Sequence, residues 1–186
     1  MALSALSDEL MRAEGMMMQD QNEEALELLL RLAEDAEEYV DCNCQTTDEV
    51  QYFAFPTLFD RLAYRRVEND PRKLEDVHEP FDRLYGDLAM AYVRTGDYEN
   101  AMNALKTAIR WNPMNCGFRL DLADLFKIAG DIREQMALTF GVFERASEAR
   151  HLTRAFLNFA AWFEAQGRLE QAAACLRAAR RFEVKD

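Results

Sequence analysis

Cys42 and Cys44 form the tightest grouping of reactive side chains in the sequence, two thiols one residue apart within Asp41-Cys42-Asn43-Cys44. Such a spacing can offer two thiolates to a metal ion or cycle between dithiol and disulfide. A closed zinc site takes about four ligands. Only His78 lies nearby in the chain, and no second CxC or CxxC pair completes the shell. No metal and no cofactor are therefore expected. Cys116 opens a helical stretch without a partner, and Cys175 sits among alanines, where a small core residue fits. His78 and His151 are the only histidines, and neither falls into a Ser-His-Asp or Cys-His arrangement. There is no phosphate-binding GxxxxGK loop, no GxGxxG after a strand, no HExxH pair and no GxSxG elbow. The many carboxylates have the spacing of solvated helix faces and not of a paired acid and base. No catalytic residue is expected, and the chain is read as a non-enzyme.

The charge balance narrows the partners. Of the formal net charge of −12, all belongs to residues 1–50, which hold 14 acidic and 2 basic side chains; residues 51–186 balance with 20 of each. A chain without a basic stripe repels phosphate backbones, so nucleic acid is not an expected partner. The apolar content, 49%, is enough for a packed core. The longest apolar run, around Leu28-Leu29-Leu30, is far too short to span a bilayer, so no membrane is expected. The opening MALSALSDELMRAEG has neither the basic nor the apolar region of a secretory signal. Four scattered cysteines do not suggest a disulfide framework, and a reduced, cytoplasmic setting is expected.

The most regular stretch runs from Asp82 to Asn115 and reads as two antiparallel helices about a turn at Thr95-Gly96-Asp97. Tyr85, Leu88, Ala89 and Tyr92 before the turn, and Tyr98, Ala101, Leu105 and Ala108 after it, each fall on one helical face; Pro113 closes the unit. Gly130 lies 34 residues after Gly96, and Gly167 lies 37 after Gly130, so three helical pairs are expected at 82–115, 116–151 and 152–186. In the second pair Gln135 stands where a small apolar residue is usual. Met136, Phe140 and Phe143 are expected to form the apolar stripe of a lengthened helix, with His151 in an inserted turn. The third pair would bury Phe156, Phe159, Ala160 and Phe163, then Leu169, Ala172, Leu176 and Ala179.

Residues 1–80 read as an acidic N-terminal helical segment. Helices are expected over 3–18 and 22–40, the second capped by Asn22, opened by Glu23 and Glu24, and packed through Ala25, Leu28, Leu29, Leu32 and Ala33. A polar break follows over 41–48, with Thr47 or Asp48 capping the next helix. Aromatic residues at helical spacing then continue to Val67, with a kink or a helix start at Pro56. An irregular loop over 68–80 has room for a short helix. The 76 residues between Ala25 and Ala101 fit one further helical pair.

The 34-residue unit resembles the tetratricopeptide repeat (TPR). That resemblance implies an all-α fold, a right-handed α-α superhelix in which antiparallel helix pairs stack as a TPR solenoid, and protein binding in place of catalysis. An aromatic Tyr52-Phe53-Ala54-Phe55 combined with an Arg110-Trp111-Asn112-Pro113 ending is also similar to a group of cytosolic bacterial TPR proteins with no assigned activity.

Repeats of this family bind through a concave surface lined by the first helix of each pair. The resemblance therefore implies a peptide-binding groove lined by Arg83, Met90, Val93 and Arg94, by Leu120, Asp124, Lys127 and Ile128, and by Arg154 and Leu157. Gly86, Gly117, Ala161 and Glu164 stand beside them. The clamp with which some members grip chaperone C-termini maps onto Gly86, Met90, Asp121, Arg154 and Asn158. Only Arg154 keeps a suitable charge, so the carboxylate fork is missing. Met90, Val93, Leu120, Ile128 and Leu157 suit an amphipathic helix or an extended apolar peptide. Alternatively, the acidic N-terminal helices of the same chain or the neighbouring repeat cover them. A protein or peptide partner in the groove is the first expectation. The second is a homo-oligomer stacked through its terminal repeat, with Arg177, Arg180, Arg181 and Lys185 available to an acidic partner.

Overall fold

Side-chain caps start four of the helices. In the computed structural model, which describes residues 3–182, Thr57, Asp97, Asn115 and Asp131 each accept a hydrogen bond from a first-turn backbone N–H. Lys185 and Asp186 lie outside the described residues. The elements are α1 (Leu3–Met18), α2 (Asn22–Asn43), β1 (Val50–Phe53), α3 (Leu58–Glu68), β2 (Lys73–Asp76), α4 (Phe81–Thr95), α5 (Tyr98–Trp111), α6 (Cys116–Ile128), α7 (Ile132–Arg145), α8 (Ala149–Ala165) and α9 (Leu169–Arg181). The helical class expected from the sequence holds. The three turn glycines adopt positive φ, +84° at Gly96, +80° at Gly130 and +70° at Gly167. At Gly130 an added Cβ would meet nothing within 4 Å, so the cost of Gly130→Ala is conformational alone. A loss of about 1 kcal/mol in chemical denaturation is expected; an unchanged midpoint would show that the turn relaxes freely.

The chain divides into two compact units, one through Pro113 and one from Met114 onward. The division thus falls after the first helical pair and not at residue 80. In the first unit α4 and α5 form a hairpin, and α2 and α1 pack on α4. Ala25, Leu28, Leu29, Leu32 and Ala33 are buried along α2, as the 3.6-residue period requires. The helix continues to Asn43, placing Cys42 in its last turn instead of in a polar break, and Asn22 is its first residue while Gln21 occupies the cap position.

No helical pair separates α2 from α4. Residues 50–76 form a small βαβ unit in which β1 and β2 are parallel, Val50 opposite Lys73 and Phe53 opposite Asp76. The alternation of Val-Gln-Tyr-Phe is that of a strand, with Gln51 and Phe53 on the buried side. Thr47 accepts the N–H groups of Glu49 and Val50 at the start of β1 and caps no helix. Pro56 precedes the cap of α3, which is Thr57. Phe53 stacks on Phe55 at 4.7 Å and meets Tyr64 at 4.6 Å with its ring tilted by 55°. Asp70 accepts the Tyr64 hydroxyl at 2.8 Å and Arg72 at 2.7 Å, and Arg72 donates onward to Gln51 at 2.8 Å, tying the α3–β2 connection to β1. The two motifs of the second resemblance meet here. The Ala54 N–H donates to the Trp111 carbonyl at 2.9 Å, Phe81 packs edge-on to Trp111 at 5.2 Å, and Asn112 donates to buried Asp82 at 2.9 Å.

In the second unit α6–α7 and α8–α9 are hairpins, with α7 also against α8. The inward side of α7 is Gln135, Thr139 and Val142, not Met136, Phe140 and Phe143. The polar pair is accommodated because the Thr139 hydroxyl donates to the Gln135 carbonyl at 2.8 Å and accepts from Asn158 at 3.4 Å. Phe140 is 61% exposed, whereas Phe143 packs on Phe156 and Phe159. α7 has the same 14 residues as α5; the extra length lies in the Ala146–Glu148 connection and the 17-residue α8. His151 is not in a turn but buried in the first turn of α8, its Nε2 3.6 Å from where a Cβ on Gly117 would stand. Ala172 and Ala179 are buried along α9, while Leu169 and Leu176 are exposed.

Candidate functional site

The expected groove residues divide between the two units and have different surroundings in each. On α4, Arg83 donates from Nε and Nη2 to Glu14 Oε1 at 2.9 and 2.7 Å, and Arg94 donates to the Met17 carbonyl at 2.8 Å while lying 3.8 Å from Asp20. The N-terminal helix therefore engages the two arginines on this side of the first pair. Met90 is 49% exposed and Val93 half-buried. Between the arginines, Asp87 lies beside Glu14 with one buried oxygen lacking a hydrogen-bond partner. Burial and the Glu14 carboxylate push its pKa up to about 7, against the pull of Arg83.

In the second unit Asp121, Asp124 and Ile128 recur at i, i+3, i+7 on α6, and Arg154, Leu157 and Ala161 do so on α8. Arg154 joins the two rows, its Nη2 2.9 Å from Asp121 Oδ1 and 2.8 Å from Asp124 Oδ2. Ile128 and Leu157, about one turn beyond Asp124 and Arg154 on their helices, are exposed, and Lys127 and Glu164 are also exposed. Leu120 does not belong to this surface. One residue before Asp121, it is turned about 100° into the core, fully buried with Cys116, Val142 and Ala155. Sequence reasoning passed over Glu14 and left Asp121 out of the lining. The i, i+3 pairing of Asp121 with Asp124 was the available signal for one; nothing in the chain pointed to the other.

The remaining reactive side chains show no converging chemistry. Burial raises the Cys44 and Cys175 thiols and pushes Cys116 up to about 11, so all three are poor nucleophiles at neutral pH. Burial lowers the His151 pKa, and Glu148 partly opposes it. Among the described residues no group of three or more His, Cys, Asp or Glu side chains is placed to hold a metal ion, and no helix is long and apolar enough to cross a membrane.

Residues 82–115, which span α4, its turn and α5, match the family model of the tetratricopeptide repeat. No curated protein matches the sequence. Among solved structures the chain is similar to the crystal structure of MamA, with 15% identity over 93% of this chain and 85% of that one and a TM-score of 0.47. A mutant of MamA is 17% identical over 96% of this chain and 98% of the other, with a TM-score of 0.43.

Proposed function

We propose that this tetratricopeptide-repeat protein is a non-enzymatic cytoplasmic scaffold that holds a peptide or an amphipathic helix of a protein partner against the first helices of its repeats. One observation carries the reading: Ile128 and Leu157, two exposed apolar side chains, each lie about one helical turn beyond the Arg154 bridge to Asp121 and Asp124 on adjoining helices. Apolar anchors beside a fixed charge pattern suit a helix presenting i, i+4 apolar residues and one or two charges. Lys127 extends this surface. The double substitution Ile128→Glu, Leu157→Glu is expected to weaken partner capture by more than about tenfold and to change stability by less than about 0.5 kcal/mol. Affinity capture from the source lysate checks this against wild type. An identical set of captured proteins would overturn the groove reading.

A second reading has its own observation. Leu169 and Leu176, seven residues apart on α9, are 66% and 47% exposed, an apolar row suited to another copy of the chain. Sedimentation equilibrium decides it, since a strict monomer at high concentration excludes stacking through α9.

A further inference from the structure

We propose that the cleft between α1, α2 and the start of α4 binds an alkylammonium group, the cationic head and aliphatic stem that a lysine side chain of a protein partner presents. The cleft has a volume of about 480 Å³, within the range of ligand sites. Tyr39, 37% exposed, lines it, and the buried Phe81 ring supports it from beneath with centroids 6.0 Å apart at 67°. Aromatic faces attract ammonium groups through their quadrupoles. Leu6 and Ala36, both buried, close its apolar floor.

Charge selects the sign of the guest. Asp35, Glu38 and Glu79 line the same cleft, no lysine or arginine does, and none of the three carboxylates has an ion pair among the described residues. Glu79 is only 9% exposed, and one of its carboxylate oxygens has no hydrogen-bond partner. A buried acceptor left in that state is costly, and a donor-bearing cation would offset the cost. Burial pushes its pKa upward, and the positive charge of the chain's amino terminus partly opposes this. The carboxylates are not gathered closely enough for a metal ion. An exposed aromatic face with dispersed carboxylates instead fits a diffuse organic cation. This site is separate from the α6–α8 surface, so it stands whether or not that surface binds a partner.

The test is an NMR titration of the full chain with N-acetyl-lysine N-methylamide, with the norleucine analogue and spermidine as comparison probes. Saturable shifts at Ala36, Tyr39 and Phe81 are expected with the lysine probe. Binding should weaken at least about tenfold for norleucine and for Glu79→Gln or Tyr39→Leu proteins whose circular dichroism is native. Tyr39→Leu decides the matter if Glu79→Gln misfolds. Equal binding of norleucine, or indifference to both substitutions, would overturn the proposal. Spermidine binding far more tightly than the lysine probe would reassign the site to free polyamines. Saturation only after acetylation of the chain's own amino terminus would reassign it to that terminus.

Discussion

Leu120→Glu is expected to destabilise the second unit by more than about 4 kcal/mol, the range reached when an ionisable group is forced into a packed core. Leu120 is 0% exposed and lies among Cys116, Val142 and Ala155, with Phe143 and Ala146 against the cluster. Glutamate there either buries a carboxylate or takes up a proton at a cost in pKa, and it also removes the packing of a full leucine side chain. The neighbouring surface provides the control. Ile128→Glu, on the same helix but 65% exposed, should move stability by less than about 0.5 kcal/mol. The two tryptophans separate the units, because Trp111 lies in the first and Trp162 in the second. Urea unfolding followed through Trp162 in a Trp111→Phe background would show the loss. A fall of under about 1 kcal/mol would mean that the side chain reaches solvent, returning Leu120 to the binding surface.

The contrast between Leu120 and Ile128 shows where the sequence is legible. Helical pairs were readable because glycine at Gly96, Gly130 and Gly167 and caps at Asp97 and Asp131 mark turns locally, without reference to distant residues. Which side of a helix faces inward is set by neighbours. The apolar period of α7 allowed Met136, Phe140 and Phe143 to point inward, but Asn158 on α8 bonds Thr139, so that face wins. The βαβ unit was missed for a related reason. Val50–Phe53 is short and apolar, and such a run reads equally as strand or helix until its partner, the unremarkable Lys73–Asp76, is known. The groove was half legible. Family position named Asp124 and Arg154, which the fold joins in an ion pair, but it could not reveal that Glu14 and the Met17 carbonyl already hold Arg83 and Arg94.

Those α1 contacts lead to the second large effect: the first unit is expected to lose about 2–4 kcal/mol of stability as pH rises from about 5 to 8. Asp87 faces α1 with its side chain 18% exposed, beside the Glu14 carboxylate and 3.9 Å from Arg83, which Glu14 already binds at 2.7 Å. With the folded pKa raised to about 7, the neutral acid is the form that the fold prefers. The stabilisation is complete below the unfolded value near about 4 and is lost as pH rises through about 7, when a second carboxylate ionises against Glu14. Asp87→Asn removes the ionisation and should flatten most of the slope. A residual should remain from Asp82 on the same helix, which burial raises while Asn112 and the Arg83 N–H hold it down. Asp70, held well below the usual carboxylate range by Arg72, titrates in strong acid and stays outside the window. Urea midpoints followed through Trp111 in a Trp162→Phe background exclude His151, which lies in the other unit. A flat wild type, or an Asp87→Asn protein with the same slope, would sink the idea. Loss of α1 above neutrality would also free Arg83 and Arg94, so a partner seated there should bind more tightly at pH about 8 than at 6. Because asparagine cannot ionise, Asp87→Asn would keep α1 docked and remove that pH dependence together with the stability slope.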